Sequence, residues 1–302
     1  MKPAQQLLYD ISNSFLVTEG HWKGELKNNK FWEVLQGDSR ESLSKLESNS
    51  FDCVVTSPPY FWLRHYGVDN QIGLEETVSE YVEAIYSVMD EVFRVLTPKG
   101  LLFLNLSDTY YSGKGQPKYP DSKSSKRRFG LRAVDKSGGL DIGIQRKSMI
   151  GIPWRVAIEM TKRKWVLRSN IIWHRKHPLR EKVKDRPKRS YEHVFMFSKG
   201  REYYFNQKPL LEKPEYDEDV WTIPARPKAS GLDTAPYPDE LVKRCLEIGC
   251  IEGGKVLDPF AGSGTTLRVA AESGHSAIGI DLNNDFCKYM VKELSKISIV
   301  SK

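Results

Sequence analysis

Two short stretches concentrate side chains that could do chemistry. In "DCVVTSPPY" (52–60) an apolar run stops on a hydroxyl, two prolines and an aromatic ring. Proline has no N–H to donate, so a Pro-Pro pair ends a central strand. Ser57 and Tyr60 are thereby left at a strand tip, where open α/β sheets bind their ligands. In "DPFAGSGTT" (258–266) Asp258 ends a second apolar run, and Gly262 and Gly264 turn the chain into a helix starting near Thr265. Glycines there let a ligand approach the backbone, with the helix N-terminus aimed at it. A phosphate loop would need a lysine that this stretch lacks, and Leu267 occupies the third glycine position of a dinucleotide fingerprint. Asp281 ends the next apolar run, nineteen residues after Gly262. That is close to the roughly 20-residue offset of a ribose-binding carboxylate. The pattern suits an adenosine-containing cofactor without a pyrophosphate. Taken singly, each motif is also an ordinary feature, a surface Ser-Pro turn or a tight glycine turn.

The elements that must hold these residues alternate in type. "KFWEVLQGDS" (30–39) reads as a strand ending at Gly37-Asp38, "RESLSKLE" as a short helix and "FDCVVTS" as the next strand. Residues 79–100 have helical apolar spacing up to Pro98-Lys99-Gly100, and "LLFLNLSD" (101–108) is a buried strand. "GIPWRVAIEMTKRKW" (151–165) predicts a helix. "VLRSNIIWHR" and "YEHVFMFSKG" predict an antiparallel pair at the sheet edge. Residues 201–236 are irregular. "PDELVKRCLEIG" is a helix, and strand–loop–helix and strand–helix units finish the chain. The alternation predicts an α/β fold with a doubly wound, mostly parallel sheet and an antiparallel edge hairpin. A single domain over 1–302 is expected.

Composition narrows the partners. The 302 residues are 39% hydrophobic, without the roughly 18 consecutive apolar residues of a membrane span. The mean hydropathy is −0.50. "MKPAQQLLYD" lacks the basic-then-apolar order of a signal peptide, and Cys53, Cys245, Cys250 and Cys287 show no metal or CxxC spacing. A cytoplasmic protein with reduced thiols is expected. His174 and His177 sit in a basic run without acidic or thiol partners, so no metal is expected. Residues 111–150 hold ten Lys/Arg against three Asp, and residues 174–190 eight against two acids. Such concentration favours a polyanion, most simply nucleic acid.

"DPFAGSGTT" with "GIDL" resembles the S-adenosylmethionine loop of the amino-directed DNA methyltransferases. "TSPPY" resembles their catalytic [DNS]PP[YFW] tetrad. "LQGDS", "KSMIGIPWRVA", the segment "IIWHRKHPLREKVKDRPKRSYEHVFMFSKG" and "TAPYPDELVKRC" are similar to further elements of the family, so the likeness covers most of 31–290. The tetrad precedes the loop, which resembles the permuted β class and implies a Rossmann-like methyltransferase fold with circularly permuted motif order. The resemblance implies S-adenosyl-L-methionine as cofactor and double-stranded DNA as partner, and it allows a cognate restriction endonuclease. Ser57, Pro58, Pro59 and Tyr60 are then the catalytic set. Asp38, Asp258, Phe260, Ala261, Gly262, Ser263, Gly264, Thr265, Thr266 and Asp281 would bind the cofactor. Asn105 and Asp108 are candidates for the base pocket, although strand-end caps account for them equally well. Lys126, Arg127, Arg128, Arg175, Lys176, Arg186 and Arg189 are candidate DNA contacts.

An exocyclic amino nitrogen is a weak nucleophile because its lone pair is delocalised into the ring. Acceptors on both N–H bonds, from Ser57 and a Ser57 or Pro58 carbonyl, would let it pyramidalise, and Tyr60 offers a face to a flipped base. Serine in the first tetrad position implies cytosine N4, with adenine N6 as the alternative. RNA or protein glutamine, usually served by NPPY, and a catalytically silent DNA-binding scaffold are the other readings. The target reader is either the basic insertion 111–150 or the segment 200–235. Neutralising Lys126, Arg127 and Arg128 should weaken binding to all DNA sequences alike and flatten the salt dependence, by about 0.9 in log–log slope for each phosphate no longer neutralised. An unchanged slope in a binding titration would make this stretch a solvated loop.

Overall fold

The computed structural model describes residues 11–63, 71–111, 142–176, 183–225 and 236–299. Lys126, Arg127, Arg128 and His177 lie outside them. The elements, in chain order, are β1 (Leu16–Thr18), β2 (His21–Leu26), β3 (Lys30–Gln36), α1 (Ser39–Ser44), β4 (Phe51–Thr56), α2 (Val78–Val95) and β5 (Leu96–Leu106). They continue with α3 (Ile152–Arg163), β6 (Val166–His174), β7 (Tyr191–Ser198), α4 (Lys208–Glu212), β8 (Val220–Thr222) and α5 (Asp239–Gly249). The last are β9 (Lys255–Asp258), α6 (Thr265–Glu272), β10 (Ser276–Asp281) and α7 (Asn284–Ser295).

The strands form one sheet in the order β1-β2-β3-β10-β9-β4-β5-β7-β6-β8. Its middle, from β3 to β5, is parallel throughout. The carboxyl ends of β3, β10, β9 and β4 therefore open on one edge, and they carry Asp38, Asp281, Asp258 and Ser57. Period-two alternation divides the core. Cys53 and Val55 of β4 pack with α5, α6 and α7 on one face, whereas Phe51 and Val54 pack with α1, α2 and α3 on the other.

Three boundaries differ from the sequence expectation. The α2 helix stops at Val95, and the chain is already extended at Leu96, because Pro98 disfavours helical geometry at the residue before it. Strands β1 and β2 extend the sheet beyond β3. In "HWKGEL" Trp22, Gly24 and Leu26 turn inward, and Asn28 and Asn29 take the positive φ of the turn into β3. The hairpin of β6 and β7 is antiparallel, as expected, but β8 pairs with β6 in parallel and takes the edge. Trp221 of β8 is buried against Tyr216, which the irregular composition of 201–236 did not announce.

Candidate active site

The two motif strands, β4 and β9, are direct neighbours, so the tetrad and the glycine loop face each other across one cleft. The cleft encloses about 1120 Å³ including its open mouth. Its walls include Asp38, Ser57, Pro58, Pro59, Tyr60, Phe260, Ala261, Gly262, Ser263, Thr265 and Asp281. Tyr237, Asn283 and Phe286 join them, none of which the sequence singled out.

Asp258, Gly264 and Thr266 stand behind the wall and shape it. The Asp258 carboxylate is 1% exposed. Its Oδ1 accepts from the Thr56 hydroxyl at 2.7 Å and the Phe260 N–H at 3.1 Å. Its Oδ2 accepts from the hydroxyls of Tyr237 at 2.9 Å and Thr266 at 2.7 Å, and these two hydroxyls also touch each other. One carboxylate thus ties β4, β9, α6 and the Tyr237 segment together. Burial pushes its pKa up, and the four donors oppose that shift. Gly264, at φ +78°, precedes α6, and a Cβ there would lie 2.6 Å from Met290 Cγ. The turn therefore needs glycine on two counts.

Asp281 does line the cleft. Its Oδ2 accepts from the Gly262 N–H and its Oδ1 from the Asn283 N–H, both at 2.8 Å. The loop is thereby stitched to β10 while the carboxylate remains on the wall. Burial raises its pKa to about 7, against the effect of these two N–H donors. Asp38 also reaches the wall. It caps α1 through the Arg40 N–H at 2.8 Å, and its carboxylate is gripped by Arg40 Nε at 2.9 Å and Nη2 at 2.6 Å. That guanidinium holds the Asp38 carboxyl below the usual range. Vicinal ribose hydroxyls could meet Asp281, and the backbone of 260–263 is open to close approach, so this wall fits the adenosine half of S-adenosylmethionine.

The tetrad is fixed from several sides. Tyr81 of α2 donates to the Pro59 carbonyl at 2.8 Å. Just past the tetrad, Trp62 takes φ +49°, donates its N–H to the Gly73 carbonyl at 2.6 Å and its indole N–H to the Glu75 carbonyl at 2.6 Å. A bulky residue at positive φ persists only when its surroundings over-determine it. The Tyr60 hydroxyl lies 3.3 Å from Ser57 Oγ, 3.2 Å from Asn105 Oδ1 and 2.6 Å from Glu192 Oε2. Asn105 is 4% exposed and serves Tyr60 from β5. Asp108 accepts from the N–H groups of Thr109, Gly151 and Ile152, which fastens β5 to the start of α3. Glu192 was missed in the sequence. The available signal was an acid interrupting the apolar strand "YEHVFMFS".

The candidate DNA contacts separate. Arg175 is bound to Glu192 at 3.2 Å and to the Arg189 carbonyl at 3.3 Å, beneath the site. Arg186 and Arg189 lie over the Tyr110 ring, 3.8 Å and 5.7 Å from its centre. Lys176 is exposed. The insertion begins and ends on an antiparallel bridge between Tyr110 and Met149.

Two outcomes separate the strand-end acids. Asp258→Ala leaves the buried Thr56 hydroxyl without its partner, at about 1–3 kcal/mol, and removes the shared anchor of the Tyr237 and Thr266 hydroxyls, of which Tyr237 falls back on Thr266 and Thr266 on the Val55 carbonyl at 3.2 Å. The ligand-free protein should lose about 3–5 kcal/mol in urea unfolding. Asp281→Ala should cost less ligand-free stability than Asp258→Ala, because the half-buried Gly262 and Asn283 N–H groups it leaves can meet water in the cleft, but weaken S-adenosylmethionine binding by about 1.5–3 kcal/mol. Because the raised pKa makes Asp281 hold a proton below pH 7, ribose hydroxyls must displace that proton there. Affinity should therefore rise from about pH 6 to about pH 8, with a slope of up to about tenfold per unit below neutrality. Calorimetry should show proton release on binding, absent in Asp281→Ala.

Comparison with known proteins gives the family. Residues 51–293 match the DNA methylase family N6_N4_Mtase. The Type II methyltransferase M.SmaI of Serratia marcescens is 38% identical over 261 residues, covering 84% of this chain and 87% of the relative. M.Cfr9I of Citrobacter freundii is 36% identical over 266 residues, covering 86% and 87%. Among solved structures, the Thermus thermophilus protein TTHA0409 in complex with S-adenosyl-L-methionine aligns with a TM-score of 0.61 at 25% identity, covering 87% of this chain and 93% of that one. The cytosine-N4-specific PvuII DNA methyltransferase shares the fold with a TM-score of 0.65 at 21% identity, covering 87% and 86%. The chain belongs to this DNA methylase family, the amino-directed DNA methyltransferases that use S-adenosylmethionine.

Proposed function

We propose that the chain is a site-specific, SPPY-type methyltransferase of the permuted β class that modifies cytosine N4 in duplex DNA. The observation that carries this reading is the placement of Ser57–Tyr60 directly opposite the glycine loop and Asp281, on one cleft wide enough for an adenosine-bearing cofactor and a base. When bound, S-adenosylmethionine supplies an electrophilic methyl group on a sulfonium. Everything else falls to the chain. The base leaves the duplex to reach the cleft, and the Tyr60 ring offers it a stacking face. The Ser57 hydroxyl and the carbonyl of Ser57 or Pro58 accept the two amino hydrogens, so the nitrogen can rehybridise with its lone pair towards the methyl group. Pro58, Pro59 and the Tyr81 bond to the Pro59 carbonyl hold those acceptors still.

Arg186 and Arg189 around Tyr110, with Lys176, supply positive charge near the tetrad's network for the phosphates flanking a flipped base. The Type II relatives favour a recognition sequence shared with a cognate endonuclease. Either 111–150 or 200–235 would read that sequence. Adenine N6 is the second reading, since both amino groups pose the same nucleophilicity problem.

Methylated DNA should be digested to nucleosides and the product identified by mass spectrometry, with the modified position mapped. N4-methyldeoxycytidine is expected, and N6-methyldeoxyadenosine would replace the cytosine assignment. Ser57→Ala should lower the single-turnover rate by about 10²–10³, as for removal of one preorganised polar group, with DNA and cofactor affinity nearly unchanged. Tyr60→Ala should also weaken binding of the flipped state, by about 1–3 kcal/mol, visible with 2-aminopurine at the target. Equal effects of both variants on binding and rate would reduce the tetrad to a structural turn.

A further inference from the structure

The polar end of Tyr60 is held by two groups that can only accept a hydrogen. Glu192 Oε2 is 2.6 Å from the phenol oxygen and Asn105 Oδ1 is 3.2 Å from it. Neither contact can be reversed. The Asn105 amide donates through Nδ2 to the His193 carbonyl at 3.1 Å, which leaves its oxygen facing Tyr60. The Glu192 carboxylate receives Arg175 Nη1 on its other oxygen at 3.2 Å and is 7% exposed. Burial, reinforced by the negative charge of Glu192, holds the phenol's pKa well above its ordinary value, so the proton stays on Tyr60. That single proton is committed away from Ser57.

The consequence passes along the chain of hydroxyls. With its proton on Glu192 or Asn105, the Tyr60 oxygen meets Ser57 Oγ as an acceptor, and Ser57 must donate across the 3.3 Å contact. The Ser57 lone pairs are then what the cleft sees. We propose that Glu192, acting through Tyr60, fixes Ser57 as an acceptor, so that the pocket selects a base carrying an amino group over one carrying a keto oxygen at the same position. The inference rests on the amino-methylation reading of the cleft. Cytosine presents an NH₂ donor where uracil presents an oxygen, and adenine where hypoxanthine does. A keto oxygen would meet the Ser57 lone pairs with no hydrogen between them, and buried polar groups left unpaired are what such sites use for rejection. Glu192 is not among the residues that line the cleft and acts as a positioning residue.

Glu192→Gln tests the direction of the chain with little change of shape. Arg175 can donate only to the amide oxygen, so the amide NH₂ takes the place of Oε2 and donates to Tyr60. The Tyr60 proton then has only the longer 3.2 Å Asn105 contact to hold it away from Ser57, so it turns towards Ser57 in a larger share of molecules. Binding should be measured with duplexes carrying the mapped site, the target base placed opposite an abasic position so that pairing strength does not intrude. Cytosine and uracil are compared, or adenine and hypoxanthine if adenine is the product.

Wild type should prefer the amino base, and Glu192→Gln should lower that preference by about tenfold, the worth of one hydrogen bond. Cofactor affinity and melting temperature should change little. Tyr60→Phe, which removes the relay hydroxyl, should lower the preference similarly and provides a second route if Glu192→Gln folds poorly. Adding Glu192→Gln to Tyr60→Phe should change nothing further. Wild-type preference retained in Glu192→Gln, or a further drop in the double variant, overturns the assignment of Glu192 while methyl transfer by the wild type stands. Wild-type protein that methylates neither base removes the amino-methylation reading and this inference with it.

Discussion

The Asp258 carboxylate is the interaction on which the rest of the site depends. Four donors from β4, the glycine loop, α6 and the Tyr237 segment converge on its two oxygens in a place closed to water. A buried anion is tolerable only when it is fully hydrogen-bonded, and this one is. The same satisfaction is a positional constraint. It places the tip of the tetrad strand against the start of the glycine loop, and neither motif can shift without leaving a hydroxyl unpaired. The relation between methyl acceptor and cofactor wall is set by this carboxylate before any ligand arrives.

Three strand-end aspartates meet three physical fates. Asp258 is consumed by the fold, Asp38 caps a helix under the grip of Arg40, and Asp281 keeps a face on the cleft with its pKa raised to about 7. The differences follow from the supply of donors around each group. Where donors are plentiful and water is excluded the carboxylate becomes structure, and where they are scarce it stays available to a ligand. The tetrad obeys the same logic. Pro59 is fixed by its bond to α2 and the chain just beyond by the bonds of Trp62 to Gly73 and Glu75, whereas Ser57 makes one side-chain hydrogen bond, to Tyr60, among the described residues and otherwise faces the cleft.

Much of this was legible in the sequence because it is local. The paired prolines after β4, the two glycines after β9 and the spacing to Asp281 encode strand ends and turns, and the alternation of strands and helices encodes the parallel sheet. What the sequence could not show depends on register between distant strands. Asn105 stands opposite Val194 across β5 and β7, which brings Glu192 within reach of Tyr60, and no local pattern contains that pairing. Arg175 looked like one more member of a basic run because its partner is seventeen residues away. The distinction between Asp258 and Asp281 was equally hidden, since both end apolar runs and differ only in what the fold packs above them. The β2 strand, by contrast, showed period two in "HWKGEL" and was readable from its own residues.

The hydrogen bond between Thr56 and Asp258 joins positions 202 residues apart in the chain. During synthesis, which runs at about 5–20 residues per second, β4 and the tetrad emerge long before β9 and β10 exist. Until then the nascent chain carries β4 with one long edge of backbone groups and apolar side chains that its eventual neighbour will cover. Such late, long-range pairing is intrinsically slow and leaves a template for wrong partners in the meantime. The methyl-transfer centre therefore has no precursor on the ribosome. It is complete only once the C-terminal strands β9 and β10 take their places between β3 and β4.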